Sequence, residues 1–186
     1  VNAPHIPVHL GALGLCVRKV AAVLPLEMGD VAITNHPAFG GSHLPDVTVV
    51  TPAFDAEGTL VGYAASRAHH AEIGGSRPGS MPPDARTLGE EGVAIEPSYL
   101  VRGTATGPRP LWDEIERTLS SGRFPSRAPA ENLADLRAAV AANHRGVEAL
   151  AELAARHGTA TVLGRMDDLR IAAQKQARRA LARRPR

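Results

Sequence analysis

Histidine and carboxylate side chains gather in two short stretches of this chain. His43 and Asp46 stand three residues apart in Gly40-Gly41-Ser42-His43-Leu44-Pro45-Asp46. His69 and His70 follow in Ser66-Arg67-Ala68-His69-His70-Ala71-Glu72-Ile73-Gly74-Gly75. Imidazole nitrogens and a carboxylate are the donors that hold a divalent metal ion. The glycines and prolines around them let the backbone turn tightly enough to bring such donors together. A His/His/carboxylate set suits Zn²⁺, Mn²⁺ or Fe²⁺, and the spacing leaves open whether His69 or His70 is the ligand. Glu72 is a candidate to hold a ligand histidine in orientation.

Two elements must position these groups. Val47 to Phe54 is rich in β-branched residues and reads as a strand. Asp55-Ala56-Glu57-Gly58 reads as a turn, and Leu60 to Ser66 as the return strand. An antiparallel hairpin of this kind puts Asp46 and the His69/His70 pair at one end, within reach of a shared ion.

Upstream, two prolines keep residues 1–9 extended. Leu10 to Leu24 then has helical apolar spacing at Leu10, Leu13, Val17, Val20 and Leu24. Val31 to Thr34 reads as a short buried strand. Downstream, residues 74–83 are too rich in Gly and Pro for helix or strand and form a candidate lid. Glu90 and Glu91 read as a solvated acidic turn. Val93 to Val101 reads as a further strand, and Asp113 to Leu119 as a short helix. Ala130 to His157 reads as a long helix with Leu133, Leu136, Val140, Val147, Leu150 and Leu153 on its apolar stripe. Asn143 falls on its solvated face, Gly158 stops it, and Thr161 to Arg184 forms a second helix. The fold class expected is α+β: a mixed β region carrying the metal-loop hairpin, then two long C-terminal helices. One continuous domain follows, with residues 1–110 mixed and residues 111–186 helical.

Composition narrows the function. The chain has 186 residues, is 44% hydrophobic and only 3% aromatic, so Ala, Val, Leu and Ile must build its core. Net charge is +2, with the excess at Lys175, Arg178, Arg179, Arg183, Arg184 and Arg186. Without aromatic interleaving, that tail does not make a nucleic-acid surface. Cys16 is the single cysteine, which excludes an intrachain disulfide and a multi-cysteine zinc site. Its apolar neighbours predict a small buried hydrophobe. With no apolar run of ~18 residues, the chain is expected to be soluble and cytoplasmic. No Walker-type loop is present: Gly40-Gly41-Ser42 lacks the Lys-Ser/Thr that ATP binding needs.

The same segments, in order, carry a family resemblance. Ala3-Pro4-His5-Ile6-Pro7-Val8-His9-Leu10-Gly11, the Gly40 to Asp46 loop, Ser66 to Gly75, Pro78-Gly79-Ser80-Met81-Pro82-Pro83, Glu90-Glu91-Gly92 and the helix from Asp135 to Gly146 resemble the hydantoinase B / 5-oxoprolinase family. Related acetone and acetophenone carboxylases share the subunit. The resemblance implies an ATP-dependent hydrolase of cyclic amides working in a hetero-oligomer. An A-type partner binds ATP and phosphorylates the substrate oxygen, and the B-type subunit completes the reaction. It implies that His43, Asp46 and one of His69 or His70 hold the metal and serve catalysis.

Three departures bear on this. His36 stands where the family usually has the aspartate of Asn-Asp-Pro. Ala139 stands where glutamine is common. A family B subunit also extends beyond both ends of this chain, so the chain is expected to be a fragment. The alternatives are a non-catalytic remnant, a ketone carboxylase subunit, or a free-standing metal-binding module.

Overall fold

The computed structural model describes residues 7–79 and 81–183. Its frame is the hairpin. Strand β2 (Asp46–Phe54) and strand β3 (Leu60–His69) pair antiparallel with Asp46 opposite His69. The turn between them is held by one carboxylate. Asp55 Oδ1 accepts from the backbone N–H of Glu57 at 3.1 Å and of Thr59 at 2.7 Å. Gly58 takes the left-handed conformation, φ +80°, that this turn requires. Strand β1 (Val31–Thr34) pairs with β2 on the other side. Strands β4 (Ser98–Arg102) and β5 (Arg109–Pro110) complete an antiparallel sheet in the order β3-β2-β1-β4-β5.

Helix α1 (Pro7–Val23) covers one face of the sheet. Its buried residues are Cys16 and Val20, which pack with Ala32, Val50, Tyr63 and Ala65. Cys16 is therefore a small hydrophobe of the core, as its neighbours predicted. The expected stripe is the contact face at Val17, Val20 and Leu24, while Leu10, nearer the helix start than Cys16, is 56% exposed. The helix also begins earlier, at Pro7, a residue whose fixed φ suits a first helical turn. The expected extended stretch therefore does not include residues 7–9, and residues 1–6 lie outside the described residues.

The short helix α2 (Leu88–Glu91) precedes β4. Helices α3 (Trp112–Leu119) and α4 (Pro129–His157) cover the opposite sheet face. Ile115, Leu119, Leu133 and Leu136 pack there against Ile33, Val47 and Val49. At about 25 cal/mol per Å², such apolar burial is the main stabilising term of the fold. Two residues of α4 differ from the stripe. Leu153 is 42% exposed and Ala154 is buried, since Ala154 meets Val61 and Val162 of helix α5 (Thr159–Ala182).

Asn143 lies inside rather than on a solvated face. It is 3% exposed, and its amide donates to Val49 O at 3.0 Å, Thr51 Oγ1 at 3.2 Å and Ala64 O at 3.2 Å. Close approach of α4 to β3 makes this reach feasible. A Cβ on Gly146 would stand 3.1 Å from the Ala64 Cβ.

The stretch before β4 also differs from expectation. Residues 93–97 are not in the ladder, although Val93 and Ile95 are buried. The Asn35 side chain occupies their polar groups: Nδ2 donates to Val93 O at 2.9 Å, and Oδ1 accepts from Ile95 N at 2.6 Å. Nδ2 also donates to Leu44 O at 2.8 Å, which ties this stretch to the His43 loop.

Candidate metal centre

The site forms where β2 begins and β3 ends. Side chains alternate between faces along a strand. Asp46, Thr48 and Val50 of β2 share the α1 face with Ala65, Arg67 and His69 of β3. His43 arrives from the loop, whose turn is closed by Asp46 N donating to His43 O at 2.9 Å. Leu44 is fully buried beneath that turn and holds it down.

Three donors converge. His43 Nδ1 lies 2.6 Å from Asp46 Oδ2, and His69 Nδ1 lies 3.1 Å from Asp46 Oδ1. The two imidazole centroids are 4.9 Å apart. One ligand atom from each of the three residues lies within 4.8 Å of the others. Asp46 is completely buried, while His43 and His69 keep a solvent-facing side. Among the described residues, every ion-pair partner of Asp46 is a histidine. Asp46 Oδ2 has no partner other than imidazole nitrogens: His43 Nδ1 at 2.6 Å, in a poorly directed contact, and His9 Nε2 at 3.6 Å. A buried carboxylate oxygen left without a well-directed donor is costly. Two imidazoles and a buried carboxylate facing one point are the arrangement that fits a divalent cation.

His70 is not in this cluster. Strand alternation turns it to the α4 face, where it is 2% exposed. Its Nδ1 lies 3.1 Å from Asn132 Nδ2, whose amide donates to it, and 3.8 Å from Asp135 Oδ2. Desolvation, with a smaller push from His69, holds the His70 pKa below the ordinary value against the opposing charge of Asp135. Of two consecutive histidines, the register selects the one opposite Asp46.

Glu72 does not touch a histidine. Its carboxylate accepts from Ser126 Oγ at 2.8 Å, Arg127 N at 2.9 Å and Arg127 Nη1 at 3.0 Å, and from Gly74 N. Burial pushes its pKa up, but these donors outweigh that and leave it lowered. The effect is structural: Glu72 pins the Gly74-Gly75 turn to residues 126–127, and Arg127 Nη2 adds a bond to Gly75 O. Asn132 joins the two sides by donating to Glu72 O at 2.7 Å and to His70 Nδ1. Glu90 also has a backbone task, accepting from Arg86 N and Thr87 N at the start of α2.

His36 sits apart from the cluster, before the 3₁₀ turn Pro37–Phe39. Its Nδ1 accepts from Ala38 N at 3.1 Å, the capping task that an aspartate carboxylate would perform there.

Sequence reasoning missed Arg67, Ser42 and His9 as parts of this site. Arg67 Nε donates to Thr48 Oγ1 at 2.7 Å and Nη2 donates to Gly40 O at 2.8 Å. Thr48 and Arg67 are the next same-face pair after Asp46 and His69, so period-two counting finds them. His9 offers no such pattern. It reaches the site only because α1 packs on this face.

The fold is of α+β type: an α1-covered antiparallel sheet with a His/Asp/His cluster at one hairpin end that could hold a metal ion. The chain belongs to the Hydantoinase B/oxoprolinase family, whose model matches residues 1–186. It is 41% identical over 187 residues to the 5-oxoprolinase of Saccharomyces cerevisiae, covering 97% of this chain and 14% of that protein. It is 34% identical to the caprolactamase subunit beta of Pseudomonas jessenii, covering 96% of this chain and 29% of that subunit. The crystal structure of the ATP-dependent caprolactamase from Pseudomonas jessenii superposes with a TM-score of 0.78 at 32% identity, over 97% of this chain and 30% of that one. A nucleotide-free acetone carboxylase structure shares the fold, with a TM-score of 0.66 at 21% identity, over 84% of this chain and 20% of that one. The chain thus spans a minor part of each of these relatives. Among the described residues, no helix is long and apolar enough to cross a membrane.

Proposed function

We propose that this chain is the metal-bearing part of a B-type subunit that hydrolyses a cyclic amide of the hydantoin or 5-oxoproline kind. The observation that carries the reading is the convergence of His43 and His69 on the two oxygens of the buried Asp46 carboxylate. The 5-oxoprolinase and caprolactamase relatives support the substrate class. A relative named as a beta subunit supports an A-type partner in a hetero-oligomer, and that partner binds the ATP. The lone cysteine supports a cytoplasmic setting.

In this reading Asp46 supplies the negative charge, and His43 and His69 supply neutral ring nitrogens. His70 serves as a buried strut, outside the ligand set. A divalent ion held there would polarise a substrate oxygen or lower the pKa of a water. The partner transfers a phosphoryl group from ATP to the amide oxygen. Water then adds to the ring carbon, the C–N bond breaks and the nitrogen takes a proton, leaving an acyl phosphate; a second water adds to its carbonyl carbon and inorganic phosphate leaves. Ring opening is tested by combining the chain with an A-type subunit, ATP and 5-oxoproline, hydantoin or caprolactam. Ring-opened product that needs ATP, the partner and His69 is expected. A folded, metal-loaded chain that yields no product with any of the three would overturn the catalytic reading in favour of a remnant.

A further inference from the structure

We infer that His9 is a positioning residue of this centre: together with Ser42 it orients Oδ2 of Asp46, making α1 part of the site. The inference rests on the metal-site reading above. His9 Nε2 lies 3.6 Å from Asp46 Oδ2, a buried oxygen whose other near neighbour is His43 Nδ1 at 2.6 Å. That separation is within ion-pair range and beyond hydrogen-bond length. His9 does not belong to the ligand cluster itself, which comprises His43, Asp46 and His69. Its task is therefore exerted through the carboxylate.

The neighbouring groups favour a proton on the ring nitrogen that faces Asp46. Arg67 has only donors, and its Nη1 lies 3.5 Å from Ser42 Oγ. Its guanidinium is anchored by Thr48 Oγ1 and Gly40 O. Ser42 Oγ, accepting from Arg67, has its own proton free for His9 Nδ1, 3.3 Å away. With Nδ1 accepting, the proton of neutral His9 resides on Nε2, which faces Asp46. Arg67, Ser42 and His9 thus form one directed series of donors that points at the Asp46 carboxylate.

The placement of His9 is built into the packing. Lys19 Nζ donates to Ala38 O at 2.7 Å, which ties α1 to the loop that leads to Ser42. Gly40 abuts the same helix, since a Cβ there would stand 2.9 Å from Cys16 N. An outer partner that orients a ligating group typically changes metal affinity 10- to 100-fold when removed.

The test is Co²⁺ titration of the 186-residue chain, read by calorimetry and by the visible absorption of the bound ion. The variants are His9→Ala, His9→Gln, Ser42→Ala and, as a control, His43→Ala. Expected results are stoichiometric binding by wild type, none by His43→Ala, and about 10-fold or greater weakening in His9→Ala with a shifted visible band. His9→Gln, which keeps an N–H donor, recovers part of the affinity. Ser42→Ala, which leaves α1 intact, weakens binding severalfold. If wild type binds and His43→Ala does not, yet His9→Ala and Ser42→Ala bind within twofold of wild type with an unchanged band, the inference is overturned. If His9→Ala does not fold, Ser42→Ala and His9→Gln decide the matter by the same criteria. Failure of wild type to bind Co²⁺ overturns the metal-site reading on which the inference stands.

Discussion

Replacing Asn143 with alanine tests whether the hairpin that carries the site is held by α4. The amide of Asn143 serves three acceptors on β2 and β3: Val49 O, Thr51 Oγ1 and Ala64 O. It has two N–H groups, so two bonds are in force at a time. A buried hydrogen bond contributes about 1 kcal/mol net. The volume lost between α4 and the sheet adds roughly another 1 kcal/mol. Asn143→Ala should therefore destabilise the chain by about 3 kcal/mol, lowering Tm by roughly 6–12 °C for a chain of this size. Asn143→Asp should cost more, because it turns a carboxylate oxygen toward three acceptors. Urea unfolding followed by circular dichroism gives the difference, with metal affinity measured at low temperature as a companion. Affinity of the folded variant should remain within about threefold of wild type, since Asn143 touches none of the three ligands. A loss below about 0.5 kcal/mol, or greater tolerance of Asp than of Ala, would refute this account of Asn143.

Three further outcomes follow from named contacts. Gly40→Ala places a Cβ at φ +87° and 2.9 Å from Cys16 N, so it should cost at least about 2 kcal/mol in denaturant unfolding. Gly146→Val should cost about 1–3 kcal/mol in the same assay, because the Cβ meets Ala64 at 3.1 Å and branching adds to the clash. Glu72 has a folded pKa below its unfolded value, so its stabilising effect is present above the unfolded pKa and is lost as pH falls through the folded one. Glu72→Gln should therefore be less stable than wild type at neutral pH and approach it at acidic pH, as followed by unfolding midpoints across that range.

The hairpin was legible because its signs are local. A β-branched run, an Asp-x-x-Gly turn and a return strand bring Asp46 and the His69/His70 pair to one end. The register that sets Asp46 opposite His69, and turns His70 to the other face, comes from the pairing itself. What stayed hidden depends on neighbours distant in sequence. Asn143 stands in an alanine-rich helix like any solvated amide, and only the approach of α4 at Gly146 buries it. The apolar spacing of α1 placed Val17, Val20 and Leu24 on the contact face, but not the exposure of Leu10, which lies beyond the cluster around Cys16. Residues 93–97 have strand-like composition, yet the Asn35 side chain takes the bonds that a ladder partner would make. Glu72 looked like a histidine partner by proximity in sequence, while its donors come from residues 126–127.

The most direct measurement is the metal content of the purified chain by elemental analysis, alongside His43→Ala, Asp46→Ala, His69→Ala and His70→Ala. The account predicts close to one equivalent of Zn, Mn or Fe in wild type and in folded His70→Ala, and none in the other three. A folded wild-type chain without metal, or loss of metal in folded His70→Ala with retention in His69→Ala, would contradict it.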